Sequence, residues 1–223
     1  MKHFTFILSL LILSSCTATK LLTSNVKPAE VTDLKLLEPY SYISMIKKGN
    51  RGGIDDSISS TSKQLLFKVL ESYKGQLPLT GKIILSDTVI NKTLEKEYEY
   101  LMLTADRTKS ITNLKITPTL DKILEVNETR FGLIIICTGF TRVKGNYGKE
   151  IVKGAALGIL TLGMYYQTPI KAYSNIYAMI ADSREDNIAF YRKSFIQDKE
   201  PLNQTVLTGQ FNKIFEGYFW TSK

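Results

Sequence analysis

Ten residues near the middle of the chain, Phe131-Gly132-Leu133-Ile134-Ile135-Ile136-Cys137-Thr138-Gly139-Phe140, form a nearly unbroken apolar run. A strand with one wetted face alternates apolar and polar residues, so a run without alternation must be covered on both sides. Such a strand belongs inside a sheet with further layers above and below it. The rest of the chain must therefore supply helices for two faces. At 223 residues, with 43% hydrophobic and 22% charged residues, it has enough material to do so.

Hydrophobic spacing supplies those layers. Leu36 to Ile46 reads as a strand, closed by the basic, glycine-rich stretch Lys47-Lys48-Gly49-Asn50-Arg51-Gly52-Gly53. Asp55, Asp56 or Ser57 can cap a helix carrying Leu65, Leu66, Val69, Leu70 and Tyr73, with Gly75 as its stop. Lys82 to Leu85 is a short strand. Ile90, Leu94, Tyr98, Leu101 and Met102 form the inner stripe of a second helix, with Glu95, Lys96, Glu97 and Glu99 outward. Pro118 opens a third helix that closes at Asn127. Ala172 to Ala181 and Asn187 to Lys193 alternate with period two and predict a hairpin around Asp182-Ser183-Arg184-Glu185-Asp186. Leu207, Phe211, Ile214, Phe215 and Tyr218 predict a final helix. The expected architecture is α/β or α+β. It has a mixed sheet of about four or five strands, a C-terminal β-hairpin and covering helices, in one domain over residues 30–223.

The inventory for catalysis is thin. Two cysteines and one histidine exclude a disulfide framework and a Cys/His zinc site, and no metal or cofactor is expected. His3 lies in a segment expected to be removed, leaving no imidazole for a nucleophile to lean on. Cys137 sits in the apolar strand, where burial makes a thiol inert. The pairs Asp55-Asp56 and Glu185-Asp186 could act as acid and base on a glycan or hold a hard cation, but helix caps and solvated turns are the better account of them. The basic loop 47–53 lacks the spacing and ending of a Walker loop. Its charge, within a net +8, could attract anionic glycans or head groups; nucleic acid is not an expected partner. Tyr165, Tyr166, Tyr173, Tyr177 and Tyr191 would form a binding patch if exposed, or pack beneath a helix with their hydroxyls at its edge.

Residues 151–166 carry one charge in sixteen and a Gly154-xxx-Gly158 pair. Small residues let another backbone approach closely, in a membrane or between subunits, and the run is too short to span a bilayer unaided. Gly154, Gly158, Leu160, Leu162, Gly163 and Met164 are the candidate assembly or membrane-contact residues, with a buried helix or loop as the alternative.

The amino terminus runs from Lys2 and His3 through Phe4 to Leu13 into Leu13-Ser14-Ser15-Cys16. A basic start, an apolar run of about ten residues and small residues before a cysteine resemble the signal and lipobox of bacterial lipoproteins. The resemblance implies removal of residues 1–15 and lipidation of Cys16. It also implies a tether over 16–29 and anchorage on the periplasmic face of the outer membrane. Further along, a buried strand ending in Gly139-Phe140 is followed by a glycine-rich apolar insert. The hairpin Ile176 to Asp182 and Ile188 to Tyr191 comes next. This order is similar to that of CsgG-like, LpoB-like and TolB-N-terminal-like envelope lipoproteins. Arg184-Glu185 stands where that pattern has Thr-Gly, and no functional residue carries over. The resemblance implies a non-enzymatic accessory role in assembly, secretion or activation, through an envelope protein partner or a homo-oligomer, with a secretion-pore subunit as the alternative.

Overall fold

The structure, a computed structural model, describes residues 17–161 and 169–221. Among these residues one mixed sheet holds nine strands. In chain order they are β1 (Thr17–Ala18), β2 (Leu22–Thr23), β3 (Leu34–Leu37), β4 (Tyr40–Lys48), β5 (Arg51–Ile54), β6 (Leu79–Ile83), β7 (Phe131–Arg142), β8 (Tyr173–Asp182) and β9 (Asn187–Gln197). Five helices accompany them: α1 (Asp56–Ser72), α2 (Thr88–Thr108), α3 (Pro118–Val126), α4 (Asn146–Leu160) and α5 (Gln204–Phe215).

The apolar run becomes β7, and it sits where its composition requires. Leu133, Ile135 and Cys137 enter one core with α1 and α5. Ile134 and Ile136 enter the other with α2 and α3. β8 pairs with β7 antiparallel along Phe131 to Phe140, and β9 continues the hairpin beyond it. On the other side β7 takes two parallel neighbours in succession, β3 at Phe131–Leu133 and β4 at Ile136–Arg142. Gly139 is required where it lies, because a Cβ there would meet the Tyr173 carbonyl oxygen at 2.4 Å.

The α/β class holds, while the strand number of about four or five is corrected to nine. The expected strand Leu36–Ile46 divides at Glu38-Pro39, since proline has no N–H for the ladder and restrains the residue before it. Leu36 pairs with Leu133 and Tyr40 with Ile136, so this strand uses one residue more than β7 across the break. The extra residue reverses the side-chain parity. Leu36 faces the α1/α5 core, whereas Tyr40 and Tyr42 face α2. β5 arises from the glycine-rich stretch, which folds back on β4 around Gly49 (φ +59°) and Asn50. β1 and β2 arise from the stretch expected as a tether and pair with β9 at Phe195 and Tyr191.

Helix ends follow the chemistry of their caps. The Asp55 carboxylate accepts from the Ile58 N–H at 3.2 Å, and Asp87 accepts from Val89 and Ile90 at 2.7 and 3.1 Å. Asn203 does the same for Val206 at the start of α5. Among the described residues no helix is long and apolar enough to cross a membrane.

Candidate functional site

Several sequence-flagged groups are consumed by structure. Cys137 is fully buried, and burial pushes its thiol up to about 11. Asp55 caps α1, Asp186 pairs with Lys115 at 2.6 Å, and Glu185 lies 4.0 Å from Arg130. Glu185 also lines a cavity of about 360 Å³ together with Glu30 and Arg130. Tyr173 packs edge-on against Phe140 at 4.9 Å and beside Phe195 at 5.8 Å. Tyr191 is buried and donates to Asp106 at 2.7 Å. Tyr165 and Tyr166 lie outside the described residues, as do Cys16, Leu162, Gly163 and Met164.

What remains is α4, which follows β7 directly and lies over Ile46 and Phe140. Its inner side carries Glu150, Lys153, Gly154 and Leu157, spaced for one helix face, and they line a cavity of about 390 Å³. Gly154 is buried there, so the small residue brings α4 close to its own sheet. Gly158 is half-buried. The outer side is different. Val152, Ala156, Ile159 and Leu160 follow one another at helical spacing, with Val152, Ile159 and Leu160 68%, 78% and 80% exposed. A helix that turns large aliphatics to water while its inner face packs on a sheet has a second surface to cover.

Arg142, at the end of β7, fixes this helix in place. Its Nε donates to the Ile170 carbonyl at 2.9 Å, and Nη1 donates to the Gly49 carbonyl at 2.9 Å and Asn146 Oδ1 at 2.7 Å. Nη2 donates to Asn50 Oδ1 at 2.8 Å, and the guanidinium lies 5.4 Å above the Phe140 ring. Four of the five N–H groups of the guanidinium are thereby occupied. The cation next to this cavity is a clamp joining the β4–β5 turn, the start of α4 and the segment before β8. It does not face an anion, while Lys47, Lys48 and Arg51 are exposed on the turn itself. Sequence reasoning missed Arg142, since nothing local marks an arginine that must gather three distant segments. Among the described residues no group of His, Cys, Asp or Glu could hold a metal ion.

No protein-family model matches the chain, and no curated protein matches it. Among solved structures it is similar to the PelC dodecamer from Paraburkholderia phytofirmans. The identity is 6% and the TM-score 0.41, over 92% of this chain and all of that one. A point variant of that dodecamer gives 7% identity and a TM-score of 0.38, over 90% of this chain and 94% of the other. Likeness of that degree does not establish a shared fold or role.

Proposed function

We propose that this protein is a non-catalytic lipoprotein of the bacterial envelope, held on the periplasmic face of the outer membrane by acyl chains on Cys16. It works by binding another protein through α4. The observation that carries this reading is the outward stripe Val152, Ile159 and Leu160, aliphatic and solvent-facing on a helix clamped from behind by Arg142. Covering an aliphatic side chain fully contributes about 1.5–3 kcal/mol, so three or four such residues are a contact worth keeping dry. The lipobox Leu13-Ser14-Ser15-Cys16 supports the anchorage, and the lack of any histidine beyond His3, within the segment expected to be removed, supports a role without catalysis.

A photo-crosslinking residue placed at Ile159 in living cells tests the contact. The expected result is a discrete protein adduct, lost when Val152→Glu is introduced and unaffected by Lys171→Glu on a different segment. Adducts to lipid alone, or none at all, would overturn the reading. Acyl chains on Cys16 are checked by mass spectrometry of the amino-terminal peptide.

A further inference from the structure

A second cavity, of about 290 Å³, lies between α2 and the sheet, on the stretch of β4 that the Glu38-Pro39 break turns toward that face. Its walls are aromatic. The Tyr40 and Tyr42 rings lie nearly parallel, 6.5 Å apart and 11° from coplanar. Tyr98 of α2 stands edge-on to Tyr40, 5.6 Å away at 79°. Glu95, Tyr98, Glu99 and Met102 share one face of α2 and complete the lining.

Two features of this corner are unresolved within the chain itself. Neither Glu95 nor Glu99 takes part in an ion pair among the described residues, although the chain as a whole carries a net +8. Among the described residues the Tyr98 hydroxyl, on a side chain only 1% exposed, has no hydrogen-bond partner, and the buried Tyr42 hydroxyl has only Glu95 near it. Burial raises the Tyr42 pKa, and hydrogen bonding to the Glu95 carboxylate that faces it raises it further. A half-buried carboxylate with no cation beside it is costly, and a ligand that brings both a positive charge and N–H donors offsets the cost.

We propose that this corner binds a primary ammonium group. Ring faces attract a cation through their quadrupoles, and the carboxylates supply the opposite charge. The three N–H donors of R–NH₃⁺ suit a carboxylate and a tyrosine oxygen in one site, whereas a quaternary ammonium has no N–H to donate. An anion would be repelled by Glu95 and Glu99, and a neutral sugar would leave both charges unpaired. The amine is either a free small molecule or a lysine side chain presented by a partner. This site is separate from α4 and does not depend on the function proposed above.

Met102 provides the probe, as one of five methionines in the chain. The full chain, labelled with ¹³C-methyl methionine and held in detergent, is titrated with n-butylammonium chloride, n-butanol and tetramethylammonium chloride. A fourth titration uses Nα-acetyl-lysine methylamide. The expected result is a saturable shift of the Met102 methyl resonance with n-butylammonium, absent with n-butanol and weaker with tetramethylammonium. Glu95→Gln should weaken binding about tenfold, and Tyr42→Phe should weaken it less, with the other methionine resonances unmoved in both. Tighter binding of the lysine amide than of n-butylammonium assigns the source to a protein side chain, and equal binding assigns it to a free amine. Equal response to n-butanol, no response to any amine, or undiminished binding by folded Glu95→Gln would overturn the proposal.

Discussion

Asp182 closes β8 with no exposed surface, and Arg130 meets it with a two-pronged grip, Nε to Oδ1 at 2.8 Å and Nη2 to Oδ2 at 2.7 Å. The same Oδ1 accepts from the Arg184 N–H at 3.0 Å, so one carboxylate holds both the strand end and the turn after it. Hydrogen bonding to Asp182 raises the Arg130 pKa further, and the guanidinium lies 4.6 Å over the Phe131 ring. Removing one partner of such a pair strands the other, so Asp182→Ala should cost about 3–5 kcal/mol in urea unfolding. Replacing both, Arg130→Met with Asp182→Leu, should recover much of that loss. Gln210 works similarly at the other end of β8, on the same face of the sheet. It accepts from the Ser174 hydroxyl at 2.7 Å and donates to the Ser174 and Ser194 carbonyls at 3.1 and 3.0 Å. Sequence spacing marked Leu207 and Phe211 as inward and said nothing of Gln210 between them.

Elements differ in how plainly the sequence announces them. α1, α2, α3 and α5 could be read because each has a repeated stripe, and in most a capping side chain or an N-terminal proline marks the start. β7, β8 and β9 could be read because ten to twelve residues are enough to display a period of two or its absence. β1, β2 and β5 could not, since two to four residues carry no period and their pairing is decided by β9 and β4. The tyrosine corner was half visible. Tyr98 stood in the inner stripe of a helix and Tyr40 and Tyr42 lay within an expected strand, but Glu95 read as an outward charge because the side of α2 bordering β4 depends on the Pro39 break. α4 is tied to the β4–β5 turn through one residue just before it, Arg142. Arg142→Ala should raise hydrogen exchange in both α4 and the β4–β5 turn, and cost about 2–3 kcal/mol. Arg142→Lys should not rescue it, because an ammonium cannot span that fork.

Across the whole molecule, β7 belongs to two cores at once, contributing Leu133, Ile135 and Cys137 to one and Ile134 and Ile136 to the other. Neither core can be dismantled while its central strand stays in place, so unfolding should be cooperative. Trp220, the sole tryptophan, stacks on Tyr73 at 5.5 Å beside the α1/α5 core, so its fluorescence reports that side alone. Its denaturation midpoint should coincide with that of far-ultraviolet circular dichroism, which reports all five helices. Separated midpoints would mean that the two sides come apart independently. A last consequence follows from β1. Thr17 is already paired with Phe195, one residue after Cys16. A free leash of thirteen residues could let a domain roam some 40 Å from its mooring, but fatty chains at position 16 would leave almost no slack. The β9 edge would lie against the head groups, and α4 would be presented at one fixed height and angle. A partner would have to come down to the membrane to meet it.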